Sequence, residues 1–385
     1  MSSVLFVVPP FAGHVNPAIG VASELERRGH RIGWAGSSSL LSGLVPPGQV
    51  IYPCDVLSDV DRPPELRGFA ALEFLWDSVL LPLADAMVAG VEEAVAVQAP
   101  DLIVVDQQAL AGAMVAERIG VPWVTSATTS SELADPLAAT PKVRAWLDSR
   151  LAGLRARLGD PAATGDPRFS PHLVLAFTTA ALAGDASGPV RFVGPVVRPA
   201  VRDGFPWEWL DPLRPLVFVS LGTLNAEVSG PFLEACLEAL RARVEYQAVI
   251  VDPAGALAAE SVPAHVLVRR SVPQTALLEH ADAVVCHAGH NTVCEALWEG
   301  VPLVVAPIRD DQPIVAGQVV DAGAGVRLRF GRAGARHIDG AVRALLEESG
   351  YRAAARRIRD EFRAAGGATA AADAVESLLT RTGIR

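Results

Sequence analysis

Residues 283–312 read AVVCHAGHNTVCEALWEGVPLVVAPIRDDQ, and the fold is decided by this stretch. The short β-branched run 283–286 predicts a buried strand, helical spacing over 292–298 predicts a helix stopping at Gly300-Val301-Pro302, and the run 303–306 predicts a second strand. Strand, helix and strand in that order are half of a parallel α/β unit. The turn His287-Ala288-Gly289-His290-Asn291 then falls where a strand ends and a helix begins, so helix N–H groups and the positive end of the dipole face outward together. Such a turn binds anions. Gly289 lets the backbone approach a ligand, Asn291 or Thr292 is expected to cap the helix, and His287 adds a donor. A diphosphate suits all of these features.

The N-terminal half repeats the pattern. Residues 4–8 predict a buried strand and residues 9–15 a polar turn, with Asn16-Pro17 as a cap and a first-turn proline for a helix running to Arg28. Strands follow at 31–34 and at 101–105, the latter ending at Asp106, then a helix at 110–119 and a strand at 123–125. His14 and Asp106 both fall at carboxyl ends of strands, where doubly wound sheets bind ligands.

The 283–312 segment resembles the donor-binding signature of family 1 glycosyltransferases, H-x-G-x-N/G-S/T-x-x-E followed by D/E-Q. It reads here His287, Gly289, Asn291, Thr292, Glu295, then Asp311-Gln312. Val272-Pro273-Gln274 with Leu277-Leu278 matches the start of that signature, and Val219-Ser220-Leu221-Gly222-Thr223 the first strand and turn of the donor domain. Gly13-His14-Val15-Asn16-Pro17 is similar to the family's G-H-x-x-P turn, and Asp106 to its partner aspartate. The resemblance implies a GT-B architecture, two Rossmann-like doubly wound parallel-sheet α/β domains facing across a cleft. It implies an inverting, metal-independent transfer of a hexose from a UDP- or dTDP-sugar to a hydroxyl, with the nucleotide sugar as co-substrate and no other cofactor. His287, Gly289, His290, Asn291, Thr292, Ser220 and Thr223 would hold the diphosphate, Glu295, Val272 and Gln274 the ribose and base, and Asp311 and Gln312 the sugar.

The chemistry is consistent with that assignment. A sugar-accepting hydroxyl is a weak nucleophile at neutral pH and needs a base within hydrogen-bond reach. A histidine with a carboxylate on its far nitrogen has its tautomer fixed and its charged form stabilised, and Asp106 is placed to do this for His14. Simpler structural roles compete: Asp106 as a helix N-cap, and Thr292 with Glu295 as a capping box. Asp311 and Gln312 show no comparable structural reason in a loop after a buried strand, and as acceptor and donor they suit neighbouring sugar hydroxyls.

Two departures from the family pattern stand out. The tryptophan that often precedes V/A-P-Q and stacks on the base is Ser271, and the asparagine that often follows D-Q-P is replaced near Ile314-Val315. UDP and dTDP are therefore not separated, and the donor sugar stays open. On the acceptor side, Phe69, Leu72, Leu75, Trp76, Val79 and Leu80 form an apolar stripe at helical spacing. It reads most simply as a core face, and Phe69, Leu72 and Trp76 are the acceptor-pocket candidates for a hydrophobic small-molecule natural product. Residues 126–171, with an Arg-rich helix at 143–158, match no chemistry.

The chain has 385 residues, enough for two domains, and its net charge of −10 argues against a nucleic-acid partner. Of its 33 basic residues only Lys142 is lysine, a bias suggesting a GC-rich, actinobacterial source. Cys54, Cys236, Cys286 and Cys294 form no C-x-x-C pair, so a reducing cytoplasm is the simplest setting. No signal pattern is visible, and acidic residues Asp85, Glu92 and Glu93 interrupt the apolar stretch 79–97, so no membrane span is expected. Cys286, His287, His290 and Cys294 diverge in direction, which argues against a metal. The expected organisation is an acceptor domain at 1–194, a Pro- and Gly-rich linker at 195–215, a donor domain at 216–371 and a C-terminal helix at 372–385 crossing back to the first domain; the protein would be a monomer or homodimer. A nucleotide-sugar epimerase on the same fold and a non-catalytic helper protein are the alternatives.

Overall fold

A computed structural model of the chain describes residues 1–57, 60, 62–63, 66–222, 225–258, 262–381 and 383. Contacts divide it into two compact units, one of 1–180, 185–196 and 365–385, the other of 181–184 and 197–364.

The strands of the first unit are β1 (Ser3–Val7), β2 (Arg31–Gly36), β3 (Val50–Pro53), β4 (Leu102–Asp106), β5 (Trp123–Ala127), β6 (Val174–Ala176) and β7 (Val190–Phe192). Those of the second are β8 (Leu216–Ser220), β9 (Gln247–Val251), β10 (Val266–Arg269), β11 (Ala283–Cys286), β12 (Leu303–Val305) and β13 (Gly325–Arg327). Among the described residues they form two sheets, ordered β3-β2-β1-β4-β5-β6-β7 and β10-β9-β8-β11-β12-β13. The pairings are parallel. In both sheets the order reverses beside the first strand, between β1 and β4 and between β8 and β11, which makes those gaps the topological switch points. Each sheet is a doubly wound, Rossmann-like parallel sheet.

Alternation along β1 explains why its run is apolar throughout. Val4 and Phe6 pack with the helix Ala12–Arg27, while Leu5 and Val7 pack on the other face with Met87 and Val91. The last helix, Gly367–Arg381, lies in the first unit and buries Val375, Leu378 and Leu379 in the same cluster as Val15 and Val21. At about 1.5–3 kcal/mol for each buried side chain, this apolar face outweighs the ion pairs of Arg28 with Asp373 and Glu376, since surface pairs contribute about 0–1 kcal/mol each.

Several sequence expectations change here. The first helix starts at Ala12 with Phe11 at its N-cap, so Asn16 and Pro17 lie inside it and His14 sits in its first turn. Phe11 makes no side-chain cap bond, which leaves no polar residue for the sequence to signal. The apolar stripe is part of one continuous helical segment, residues 68–98, with a π-helical turn at Leu75–Leu80. That segment is long and apolar enough by length and composition to cross a membrane, a test that core helices also pass, and its Leu83, Met87 and Val91 pack on the first sheet. Trp76 is 2 % exposed in a cluster with Leu80, Leu110, Met114 and Leu151, so it is a core residue and not an exposed acceptor-pocket wall. Leu72 is half-buried against that cluster, and Phe69 is exposed with its ring edge-on to Trp146. Arginines of the helix Pro141–Leu158 pair with Asp77, Glu117 and Asp85, which accounts for its composition.

Candidate active site

In the first unit the switch point brings His14 and Asp106 together. His14 Nδ1 is 3.0 and 3.1 Å from the two Asp106 carboxylate oxygens. The Asp106 side chain is fully buried and the His14 ring is 19 % exposed, so the carboxylate is shielded while the imidazole reaches solvent. Asp106 Oδ1 also accepts from the Gln108 backbone N–H, at 2.9 Å. The helix Leu110–Ile119 has Ala109 at its N-cap, so Asp106 holds a turn after β4 and is not the cap.

A third group was not anticipated. The Thr128 hydroxyl donates to Asp106 Oδ2 at 2.8 Å and lies 2.7 Å from His14 Nδ1. Thr128 follows β5, whose Ser126 is in register with Asp106, and the polar run after strand 123–125 was the available signal. Nearby in the topology, at the carboxyl ends of β4, β5 and β6, the buried Gln107 carboxamide and the Ser126, Thr178 and Thr179 hydroxyls have no hydrogen-bond partner among the described residues.

In the second unit the turns after β8 and β11 are neighbours, because Ser220 pairs with Cys286. His287 lies between two glycines: a Cβ on Gly222 would meet its Cε1 at 2.9 Å, and one on Gly289 would meet its Nε2 at 2.4 Å. Gly222 has φ +72, and Ala288 occupies the left-handed region at φ +66, a strained conformation of the kind that collects at binding sites. Burial lowers the His287 pKa to about 4, against a hydrogen bond with the Ser220 backbone, so the ring is neutral at neutral pH. Among the described residues its Nδ1 has no partner. Thr223 lies outside the described residues.

The helix after this turn runs His290–Trp298 with Gly289 at its N-cap and no side-chain cap bond, so Asn291 and Thr292 are inside it. The Thr292–Glu295 capping box therefore does not form. Instead Gln274 Nε2 donates to Glu295 Oε2 at 2.6 Å, and burial raises the pKa of that carboxyl while the Gln274 bond opposes the shift. Gln274 Nε2 is also 3.5 Å from Thr292 Oγ1, so three of the expected donor residues meet. Val272 is half-buried against the apolar core beside them. The His290 ring lies against Cys294 one turn further along the helix, with Nε2 3.5 Å from Sγ, while its backbone opens the helix at the turn. Asp311 is the N-cap residue of the helix Gln312–Asp321. Gln312 Oε1 accepts from the Ile308 and Arg309 N–H groups at 2.9 and 3.1 Å, a structural role that its position in sequence did not suggest. Its amide oxygen is thus committed to the loop, and its Nε2 is the donor left to consider.

The depressed His287 pKa has a consequence for stability. Between pH 6.5 and about 4 the unfolded chain binds a proton that the native ring refuses, so this contribution is complete above pH 6.5 and is lost as pH falls toward 4. Between pH 7 and 4.5, urea unfolding is expected to show the stability difference between wild type and His287→Gln change by about 2–3 kcal/mol against the wild type. Parallel pH profiles for the two proteins would show that the ring titrates normally.

Comparison with known proteins places the chain in a class. Residues 236–378 match the model for the erythromycin biosynthesis protein CIII-like C-terminal domain. The chain is 33 % identical to 4'-demethylrebeccamycin synthase of Lentzea aerocolonigenes, over 98 % of this chain and 99 % of that protein. It is also 33 % identical to demethyllactenocin mycarosyltransferase of Streptomyces fradiae, over 99 % and 87 % respectively. The solved structure of the calicheamicin glycosyltransferase CalG4 superposes with a TM-score of 0.81 at 26 % identity, covering 99 % of both chains. The fold and its relatives define a glycosyltransferase of the GT-B class. The chain belongs to the natural-product glycosyltransferases that carry the erythromycin CIII-like C-terminal domain.

Proposed function

We propose that the protein is an inverting, metal-independent hexosyltransferase that takes its sugar from a UDP- or dTDP-linked donor and places it on a hydroxyl of a hydrophobic natural product. The observation that carries this reading is the His14 Nδ1–Asp106 contact at 3.0 Å, with the carboxylate buried and the ring partly exposed. In the reaction His14 Nε2 takes the acceptor hydroxyl proton, the oxygen forms a bond to the anomeric carbon, and the bond from that carbon to the diphosphate oxygen breaks. Attack opposite the leaving group inverts the centre. The departing diphosphate is met by the N-terminal end of the helix His290–Trp298 and by His287, with Glu295 and Gln274 toward the ribose and Asp311 and Gln312 toward the sugar. The relatives' names, a demethylrebeccamycin synthase and a mycarosyltransferase, support an antibiotic-like natural-product acceptor. The buried carboxamide of Gln107 and the hydroxyls of Thr178 and Thr179 support an acceptor that also carries polar groups.

Stereochemistry tests this reading. Offered UDP-α-glucose or dTDP-α-glucose with a panel of macrolide, polyketide and flavonoid aglycones, the enzyme is expected to give β-glucosides, read from the anomeric proton coupling by NMR. An α-linked product would overturn direct displacement.

A further inference from the structure

We propose that Thr128 is a positioning residue that completes a three-membered hydrogen-bond unit with Asp106 and His14 and holds the Asp106 carboxylate where it keeps the imidazole in its Nδ1–H tautomer. This rests on the reading of His14 as the base, and concerns how the ring is prepared for that task. Among the described residues three oxygens stand around His14 Nδ1, the two of Asp106 at 3.0 and 3.1 Å and that of Thr128 at 2.7 Å. The Thr128 hydroxyl hydrogen points to Asp106 Oδ2, at 2.8 Å, so the oxygen presents lone pairs to the ring. A bare Nδ1 would face lone pairs on all sides. A protonated Nδ1 finds an acceptor in every direction, which places the ring's own lone pair on Nε2, where a general base needs it.

Thr128 also solves a problem for the carboxylate. Asp106 is 1 % exposed, and a buried charge is costly unless hydrogen bonds hold it. His14, the Gln108 N–H and the Thr128 hydroxyl together supply donors to both of its oxygens. Valine at 128 keeps the shape and the β-branching while removing one donor to Asp106 and one acceptor for His14. Serine restores both.

The test uses the full-length protein labelled with ¹⁵N in its histidine rings, with His14 identified by its absence from the spectrum of His14→Ala. Wild type, Thr128→Ser and Thr128→Val are all expected to show neutral His14 as the Nδ1–H tautomer, since Asp106 still accepts from Nδ1 when residue 128 is valine. With dTDP-glucose and quercetin as the probe pair, kcat of Thr128→Val is expected to fall about ten-fold with the KM for dTDP-glucose unchanged, and Thr128→Ser to recover it. An Nε2–H tautomer in the wild type overturns the inference, and that result does not depend on any variant folding. A Thr128→Val protein with wild-type kcat overturns it as well. If the wild-type tautomer is as expected but the protein transfers no sugar from any donor, the hydrogen-bond inference stands and the transfer reading fails.

Discussion

Replacing His14 with alanine is expected to lower glycoside formation by about 10²–10⁴-fold, the range that a positioned general base contributes. The loss should fall on kcat, with donor affinity kept, because His14 lies at the switch point of the first sheet and the candidate donor residues belong to the second. Asp106→Asn should produce a smaller but still large loss. It keeps the size of the side chain while turning one of the two oxygens near Nδ1 into an amide nitrogen, which pushes the ring toward the wrong tautomer. Single-substrate binding by calorimetry together with steady-state rates separates the two effects. A His14→Ala enzyme with wild-type kcat would remove the imidazole from the chemistry.

The second large effect is expected at Gly289. Its backbone, at φ −63 and ψ 134, is open to any residue, so alanine there introduces no backbone strain. The added methyl would instead lie 2.4 Å from His287 Nε2, and that ring is nine-tenths buried with a second glycine, Gly222, against it. The imidazole has to leave its place. Gly289→Ala is therefore expected to weaken binding of UDP and dTDP at least ten-fold while the protein stays folded, since at a helix N-cap alanine is less favourable than glycine by only about 1 kcal/mol. Calorimetric titration of both diphosphates into wild type and variant reads this directly. Unchanged affinity would mean that His287 does not touch the diphosphate.

Much of this architecture could be read before any coordinates. Residues 283–286 are an unbroken apolar run ended by a polar turn, and the strand occupies those four positions. Residues 110–119 behave likewise as a helix, ended by Gly120 in the left-handed conformation. The errors have specific causes. Two helices begin earlier than expected because Phe11 and Gly289 cap them without a side-chain bond, and sequence signals for helix starts are side-chain signals. Trp76 could not be separated from Phe69 by spacing, because periodicity shows that a stripe exists and not which of its members lies innermost. The sequence points to Gln274 and Glu295 separately as donor residues, yet their mutual bond depends on how the helix Gln274–Leu278 packs beside His290–Trp298. Thr128 was missed for the same reason. Its partners lie 22 and 114 residues away, and only the β4–β5 register brings them together.

The most direct measurement is product mass spectrometry on wild type and His14→Ala, with UDP-glucose and several dTDP-hexoses offered against the aglycone panel. Wild type should yield an aglycone heavier by one hexosyl unit with nucleoside diphosphate released in equal amount, and His14→Ala should yield neither. Equal product from both proteins, or an isomerised nucleotide sugar with no transfer, would contradict base-assisted glycosyl transfer by this chain.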